Sequence, residues 1–175
     1  MLKYFFLYLF ILLAIIQPVS SQIEPPNYDF SLDTLADFYP GKKFNDMEKK
    51  YGKGELTLKE TIPIYKFYVA HIRYKFPVFV RIFNGESVSF FARLPSYFLH
   101  DVFHQSLINR YGKQDEYTKI ENMAVYLWKN KDNIKFIYQG QCTLNCFPMY
   151  ISGEMVQPPE NFPGTTGILQ SFKVR

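Results

Sequence analysis

Two residue pairs in this chain have the types and spacing for chemistry: Cys142 with Cys146, and His100 with His104. The two cysteines are the only ones in the sequence. Thiols at this spacing form a disulfide in an oxidising compartment or bind a metal in a reducing one. The spacing C-x-x-x-C differs from the C-x-x-C of thioredoxin-like proteins, so the sequence favours a structural disulfide over a redox-active pair.

His100 and His104 lie four residues apart in a predicted helix, so they share one of its faces. Imidazoles at this spacing occur in zinc sites on helices. With Cys142 and Cys146 they would complete a His2Cys2 set, provided that the thiols stay reduced. The sequence favours the alternative, in which both histidines border the core or a partner surface. If the histidines are functional, the protein would be a small exported metal-binding protein or a hydrolase. It would use His100 and His104, with Asp101 beside them.

Motifs of common enzymes do not occur in the sequence. It contains no G-x-S-x-G, no phosphate-binding glycine loop and no H-E-x-x-H. A Ser-His-Asp triad assembled from distant residues would leave no local pattern. The sequence therefore favours a non-enzymatic protein, predicts no catalytic residue and calls for no cofactor.

The first 21 residues have the layout of a secretory signal peptide. Lys3 precedes an apolar run from Tyr4 to Ile16, Pro18 ends the run, and small residues stand before Gln22. The run is shorter than the ~20 residues of a comfortable bilayer crossing, although an uncleaved anchor remains the alternative. We expect a secreted or periplasmic protein with no integral membrane segment after leader cleavage.

Charge and composition indicate which classes of binding partner the sequence favours. Loss of Lys3 with the leader lowers the net charge from +4 to +3, and no segment clusters Lys and Arg densely. This distribution argues against a nucleic-acid partner and leaves another protein or an envelope component. Aromatic residues make up 19% of the chain. Such a content is typical of strand-rich cores and of recognition surfaces.

Hydrophobic periodicity and turn residues divide the chain. Residues 1–21 are the signal peptide, 22–41 an extended lead-in, 42–156 an α+β domain and 157–175 a tail with little regular structure. A helix before Gly52 and another from Ser96 to Arg110 are predicted, each ended by a glycine. Asn84-Gly85 is a strong hairpin signal because both turn positions need positive φ. The remaining predicted strands lie at about 62–67, 72–83, 87–94, 124–129, 133–138 and 147–152.

A short segment recurs along the chain. Residues 47–53 (MEKKYGK) resemble residues 107–113 (LINRYGK), 60 residues later, and an aromatic strand follows each. One helix with its strands is too small to bury its own apolar face, so two such units would share a sheet. We predict an antiparallel sheet with helices packed on one face, built from tandem repeats at 42–94 and 95–152.

The helix end Tyr111-Gly112-Lys113 and the strand Val125-Tyr126-Leu127-Trp128 resemble a unit of the small lipoprotein of the outer-membrane β-barrel assembly machinery. The tandem arrangement, with Tyr51-Gly52-Lys53 in the first copy, is similar to that of the β-lactamase inhibitor proteins. The chain departs from the pattern because neither glycine is followed by proline and no lipid-anchoring cysteine is present. The resemblance implies a non-catalytic binding role in the envelope.

Four aromatic residues are the candidate binding surface, on the expectation that one strand face stays uncovered: Tyr65, Phe67, Tyr126 and Trp128. The alternative for each is packing in the core. The sequence thus predicts an exported, non-catalytic binding protein of the periplasm, the envelope or the extracellular space.

Overall fold

A computed structural model describes residues 27–59, 61–71, 74–142, 146–164 and 167–172. The predicted signal peptide, residues 1–21, lies outside the described residues. Within them the chain forms four helices and eight strands. In chain order these are α1 (Asp29–Ala36), α2 (Phe44–Tyr51), β1 (Glu55–Leu58), β2 (Ile64–His71), β3 (Tyr74–Phe83), β4 (Glu86–Arg93), α3 (His100–Tyr111), β5 (Glu116–Ile120), β6 (Met123–Lys131), β7 (Ile134–Cys142), β8 (Cys146–Met155) and α4 (Ile168–Ser171).

The strands form one antiparallel sheet in the order β1-β2-β3-β4-β8-β7-β6-β5. The first half is α2 followed by β1 to β4, and the second half is α3 followed by β5 to β8. The halves join where β4 pairs with β8, for example at Ala92 opposite Ile151. An α+β fold dominated by an antiparallel sheet is therefore confirmed. Descent of the two halves from one repeated unit stays a prediction.

The glycine that ends each helix plays the same part in both halves. Gly52 has φ 86° and Gly112 has φ 78°, in the left-handed region that a side chain disfavours. The Gly52 N–H donates to Glu48 O at 2.9 Å, and the Gly112 N–H donates to Ile108 O at 2.8 Å. The Asn84-Gly85 hairpin also forms, with φ of 51° and 79°. The two glycines position β1 and β5 directly after the helices, and the Asn84-Gly85 turn joins β3 to β4.

Buried side chains cover both faces of the sheet. The larger cluster joins Leu35 of α1, Met47 of α2 and Leu107 of α3 to Phe90 and other strand residues. Phe91 points to the opposite face, because successive strand residues alternate, and there it packs with Ile168 of α4 and with Ile64. The expectation that the helices pack on one face is therefore wrong as a general rule, since the C-terminal segment folds back over the second face.

One helix boundary differs from the sequence prediction. The second long helix begins at His100 rather than at Ser96, with Leu99 as its N-cap residue. The segment 22–41 contains α1, and the segment 157–175 contains the four-residue helix α4. No helix in the described part of the chain is long and apolar enough to cross a bilayer.

Candidate functional site

The predicted disulfide between Cys142 and Cys146 is present, with an S–S distance of 2.01 Å. The two residues are paired across β7 and β8. The disulfide therefore links the adjacent ends of β7 and β8. This hairpin corresponds to the β3–β4 hairpin of the first half, which has the Asn84-Gly85 turn. Both cysteines are half-buried, and the described residues contain no free cysteine. This part of the chain thus offers no thiol that a neighbouring histidine could activate.

His100 lies on the first turn of α3 and is hydrogen-bonded to two tyrosines. Its Nδ1 lies 2.8 Å from the Tyr138 hydroxyl, and its Nε2 lies 3.3 Å from the Tyr126 hydroxyl. A Cβ atom at Gly140 would lie only 3.1 Å from His100 Nδ1, so the glycine permits the imidazole to approach the strand closely. The ring is thereby fixed beside the disulfide.

His104, one turn further along α3, packs its ring on Tyr126 with ring centroids 3.9 Å apart. Its Nε2 is buried and has no hydrogen-bond partner of normal geometry in the described part of the chain. Burial lowers the pKa of His104, against a smaller opposing effect of Gln114. We call His100, His104, Tyr126 and Tyr138 the histidine–tyrosine cluster.

Burial also lowers the pKa of His100, which the charge of Asp101 opposes and the neighbouring His104 reinforces. The imidazoles of the cluster are therefore neutral at neutral pH. Burial raises the pKa of Tyr138, so its phenol stays protonated. Neutral imidazoles can bind a metal or exchange hydrogen bonds with a partner, and those of the cluster contact phenol groups.

The four aromatic residues chosen from the sequence have unequal environments. Phe67 and Trp128 are 2% and 0% exposed. Both side chains therefore pack in the core and are not accessible to a partner. Trp128 also donates from Nε1 to Gly112 O at 2.8 Å, which ties β6 to the end of α3. Tyr65 and Tyr126 are half-buried under the helices. A binding role for these two tyrosines stays a prediction.

A different set of exposed side chains lies around His71 and Tyr28. The Tyr74 and Tyr97 rings lie 5.2 Å apart, Tyr97 lies 5.7 Å from His71, and Phe30 lies 6.5 Å from His71, between ring centroids. The Leu99 N–H donates to the Tyr28 hydroxyl at 3.0 Å. Tyr28 precedes Phe30 by two residues, so this bond brings Leu99 close to the start of α1. The exposed fractions are 70% for Phe30, 63% for Tyr74, 38% for Tyr97 and 62% for Leu99. We call these four residues the aromatic patch.

The aromatic patch rests on a rigid base. His71 is buried beneath it, and its Nδ1 is hydrogen-bonded to the Tyr97 hydroxyl at 2.9 Å. Tyr28 stacks on buried Phe98 with centroids 4.2 Å apart. The patch was not predicted because its members come from α1, β3 and the segment before α3, which lie far apart along the chain. No local pattern marks such a surface.

On the opposite sheet face the described residues line a cavity of about 440 Å³ under the C-terminal segment. Glu154 borders it, pairs with Lys135 at 2.8 Å and accepts the Ile168 N–H at 2.9 Å. The carboxylate therefore serves to hold α4 against the sheet. Comparison of the chain with protein-family models, with curated proteins and with solved structures gives no match.

Proposed function

We propose that this chain is an exported, non-catalytic binding protein that contacts a protein partner through the aromatic patch. The observation that carries the proposal is that Phe30, Tyr74, Tyr97 and Leu99 are all exposed around His71 and Tyr28. Clustered exposed apolar side chains mark interaction sites, whereas isolated exposed apolar residues are ordinary.

Physical chemistry favours a protein with an apolar face as the partner. Tyrosine and phenylalanine side chains are enriched in protein–protein interfaces because they supply a large contact area with few rotatable bonds. The hydrogen bond between Tyr97 and His71 already holds one ring of the patch in place. A surface ordered before binding loses less side-chain entropy when the partner docks.

The compartment belongs to the same proposal. The Cys142–Cys146 disulfide suits a secreted or periplasmic protein, because disulfides persist in oxidising compartments. The two helix-plus-four-strand halves that share one sheet also suit the resemblance to envelope domains and to inhibitor proteins. Inhibition of a secreted enzyme would be one form of the proposed binding.

Support for a non-catalytic role comes from the histidine–tyrosine cluster. Its histidines contact phenols rather than a carboxylate or a free thiol. A serine or cysteine hydrolase would need a hydroxyl or thiol of that residue within hydrogen-bond reach of such a histidine.

Site-specific photo-crosslinking tests the proposal. A photoreactive amino acid is placed at position 74 and, as a matched control, at position 117 of the protein expressed in its native cells. Both positions hold exposed tyrosines, 63% and 52% exposed. We expect one defined protein adduct from position 74 and none from position 117. Adducts of equal yield from both positions, or an adduct from position 117 alone, would contradict the proposal.

A further inference from the structure

We propose that Cys142, Cys146 and His100 form a metal site for a thiophilic ion such as Zn²⁺ once the disulfide is reduced. This site is separate from the aromatic patch. Its basis is that the sulfur atoms of the two cysteines and one ring nitrogen of His100 all lie within 4.8 Å of one another.

The distances between these three ligand atoms are close to those between the ligand atoms of a zinc centre. Zinc binds thiolate sulfur at about 2.3 Å and imidazole nitrogen at about 2.0 Å in a tetrahedral arrangement, so ligand atoms on one ion are roughly 3.5–4 Å apart. Two cysteines separated by three residues also fall within the spacing that zinc sites use. Reduction breaks the S–S bond, so the two sulfur atoms can separate to the spacing that a zinc ion requires.

The imidazole of His100 is held toward the cysteines. A Cβ atom at Gly140 would lie 3.1 Å from His100 Nδ1 and 3.5 Å from Cys146 Cβ, so the missing side chain leaves the imidazole and Cys146 facing each other. The Tyr126 and Tyr138 hydroxyls each bond one ring nitrogen; the nitrogen that binds the ion gives up its tyrosine, and the other tyrosine accepts the remaining ring N–H and keeps the ring oriented. Hydrogen-bonded neighbours of this kind orient histidine ligands in metal proteins.

The two halves of the fold supply an internal comparison. The hairpin of the first half closes with Asn84 and Gly85, where the second half has the cysteine pair. The helix α2 has eight residues and α3 has twelve. The additional turn of α3 lies at its N-terminus and carries His100. The three ligands therefore occur where the second half departs from the plan of the first.

A dithiol can serve as the reductant of the Cys142–Cys146 disulfide. The dithiol transfers two electrons and two protons to the disulfide and becomes a disulfide itself, while Cys142 and Cys146 become thiols. Binding of Zn²⁺ then releases the two thiol protons to solvent, and the neutral imidazole binds through a lone pair without losing a proton. A water molecule takes the fourth position, as in open zinc sites. Metal binding and the disulfide exclude each other.

Titration of the purified mature chain with Co²⁺, a spectroscopic substitute for Zn²⁺, tests the site. We expect the reduced protein to bind one Co²⁺ with a thiolate-to-cobalt charge-transfer band, and the oxidised protein to show none. We expect His100→Gln to weaken binding at least about tenfold, since even loss of a ligand's hydrogen-bonded neighbour has that effect. The matched control His104→Gln should bind like the wild type, and the Cys142→Ser/Cys146→Ser double variant should show no charge-transfer band.

Several results would overturn the inference. They are a reduced protein without the charge-transfer band, a His100→Gln variant with wild-type affinity, or a larger loss in His104→Gln than in His100→Gln. Circular dichroism checks that each variant is folded. If His100→Gln is unfolded, cadmium NMR of the reduced wild type decides: a chemical shift for two sulfur ligands and one nitrogen supports the site, and a shift for two sulfurs with oxygen only refutes it.

Discussion

The two halves of the sheet share a backbone plan but differ in the side chains that fill it. Beneath α2, Leu56, Tyr65 and Val80 are cross-strand neighbours on β1, β2 and β3. The corresponding row beneath α3 consists of the three tyrosines 117, 126 and 138. The first half is thus largely apolar at the place where the second half carries phenols.

The helices repeat this contrast. Phe44 of α2 packs on Tyr65 with centroids 4.6 Å apart, and His104 of α3 packs on Tyr126 with centroids 3.9 Å apart. The comparison teaches that the fold itself does not require the histidine–tyrosine cluster. The first half packs apolar side chains where the second half has polar rings, and this favours a role for those rings beyond stability.

Equivalent core residues test whether the halves depend on each other. Phe67 and Trp128 occupy matching positions on β2 and β6, and both are buried. Phe67→Ala and Trp128→Ala should each lower the free energy of unfolding by about 3–5 kcal/mol, since each leaves a large cavity. Urea unfolding followed by fluorescence and by far-UV circular dichroism should show one coincident transition in each variant. Separate transitions for the two halves would refute the single shared core.

Exchanging the ring type between the helices should give effects of opposite sign. His104→Phe removes a buried nitrogen without a normal hydrogen bond, and we expect it to raise the free energy of unfolding by about 1 kcal/mol. Phe44→His should lower it by about 1–2 kcal/mol, because it buries a polar ring in an apolar site. Chemical denaturation measures both. A destabilised His104→Phe would show that His104 contributes to stability and would remove the contrast.

The hydrogen bond between Tyr138 and His100 provides a smaller test. Tyr138→Phe removes the hydroxyl at 2.8 Å from His100 Nδ1 and should lower the free energy of unfolding by about 1 kcal/mol. Tyr117→Phe, at the exposed end of the same row, is the control and should leave stability unchanged. Equal effects of the two substitutions would show that the buried hydroxyl contributes nothing specific.

Acidification should produce the smallest effect. Burial holds the pKa of His100 and His104 below 6.5 in the folded state, so the unfolded chain binds protons more readily. Above pH 6.5 both histidines are neutral in the folded and the unfolded chain, so they do not change the free energy of unfolding with pH. As the pH falls from 6.5 to the lowered pKa, the unfolded chain takes up protons first and the free energy of unfolding decreases. Urea titrations at about pH 7.5 and about pH 5 should show a smaller decrease for a His100→Gln/His104→Gln variant than for the wild type. An unchanged decrease would assign the pH dependence to other groups.

Local sequence signals predicted the fold where a single residue type controls the backbone. Gly52, Gly112 and the Asn84-Gly85 turn all adopt the positive φ that their residue types favour. The edge strands β1 and β5 were not predicted because nearly all of their residues are exposed, which leaves no hydrophobic alternation to detect.

The sites were predictable only in part. Spacing and compartment were sufficient for the Cys142–Cys146 disulfide, and the helical spacing placed His100 and His104 on one face of α3. The sequence could not tell buried aromatic residues from exposed ones. Trp128 was chosen as a surface residue and is buried, while Tyr74 was overlooked and is exposed. Exposure depends on which elements cover a strand, and that is decided by tertiary packing.

The central claim is that the aromatic patch binds the protein partner. Its most direct test is the dissociation constant of the protein captured by crosslinking, measured with purified wild type, with Tyr74→Ser and with the control Tyr117→Ser. We predict that Tyr74→Ser weakens binding about thirtyfold, as expected for loss of an aromatic hot-spot residue, and that Tyr117→Ser leaves affinity unchanged. Wild-type affinity in Tyr74→Ser together with weakened binding in Tyr117→Ser would contradict the account and place the interface at β5.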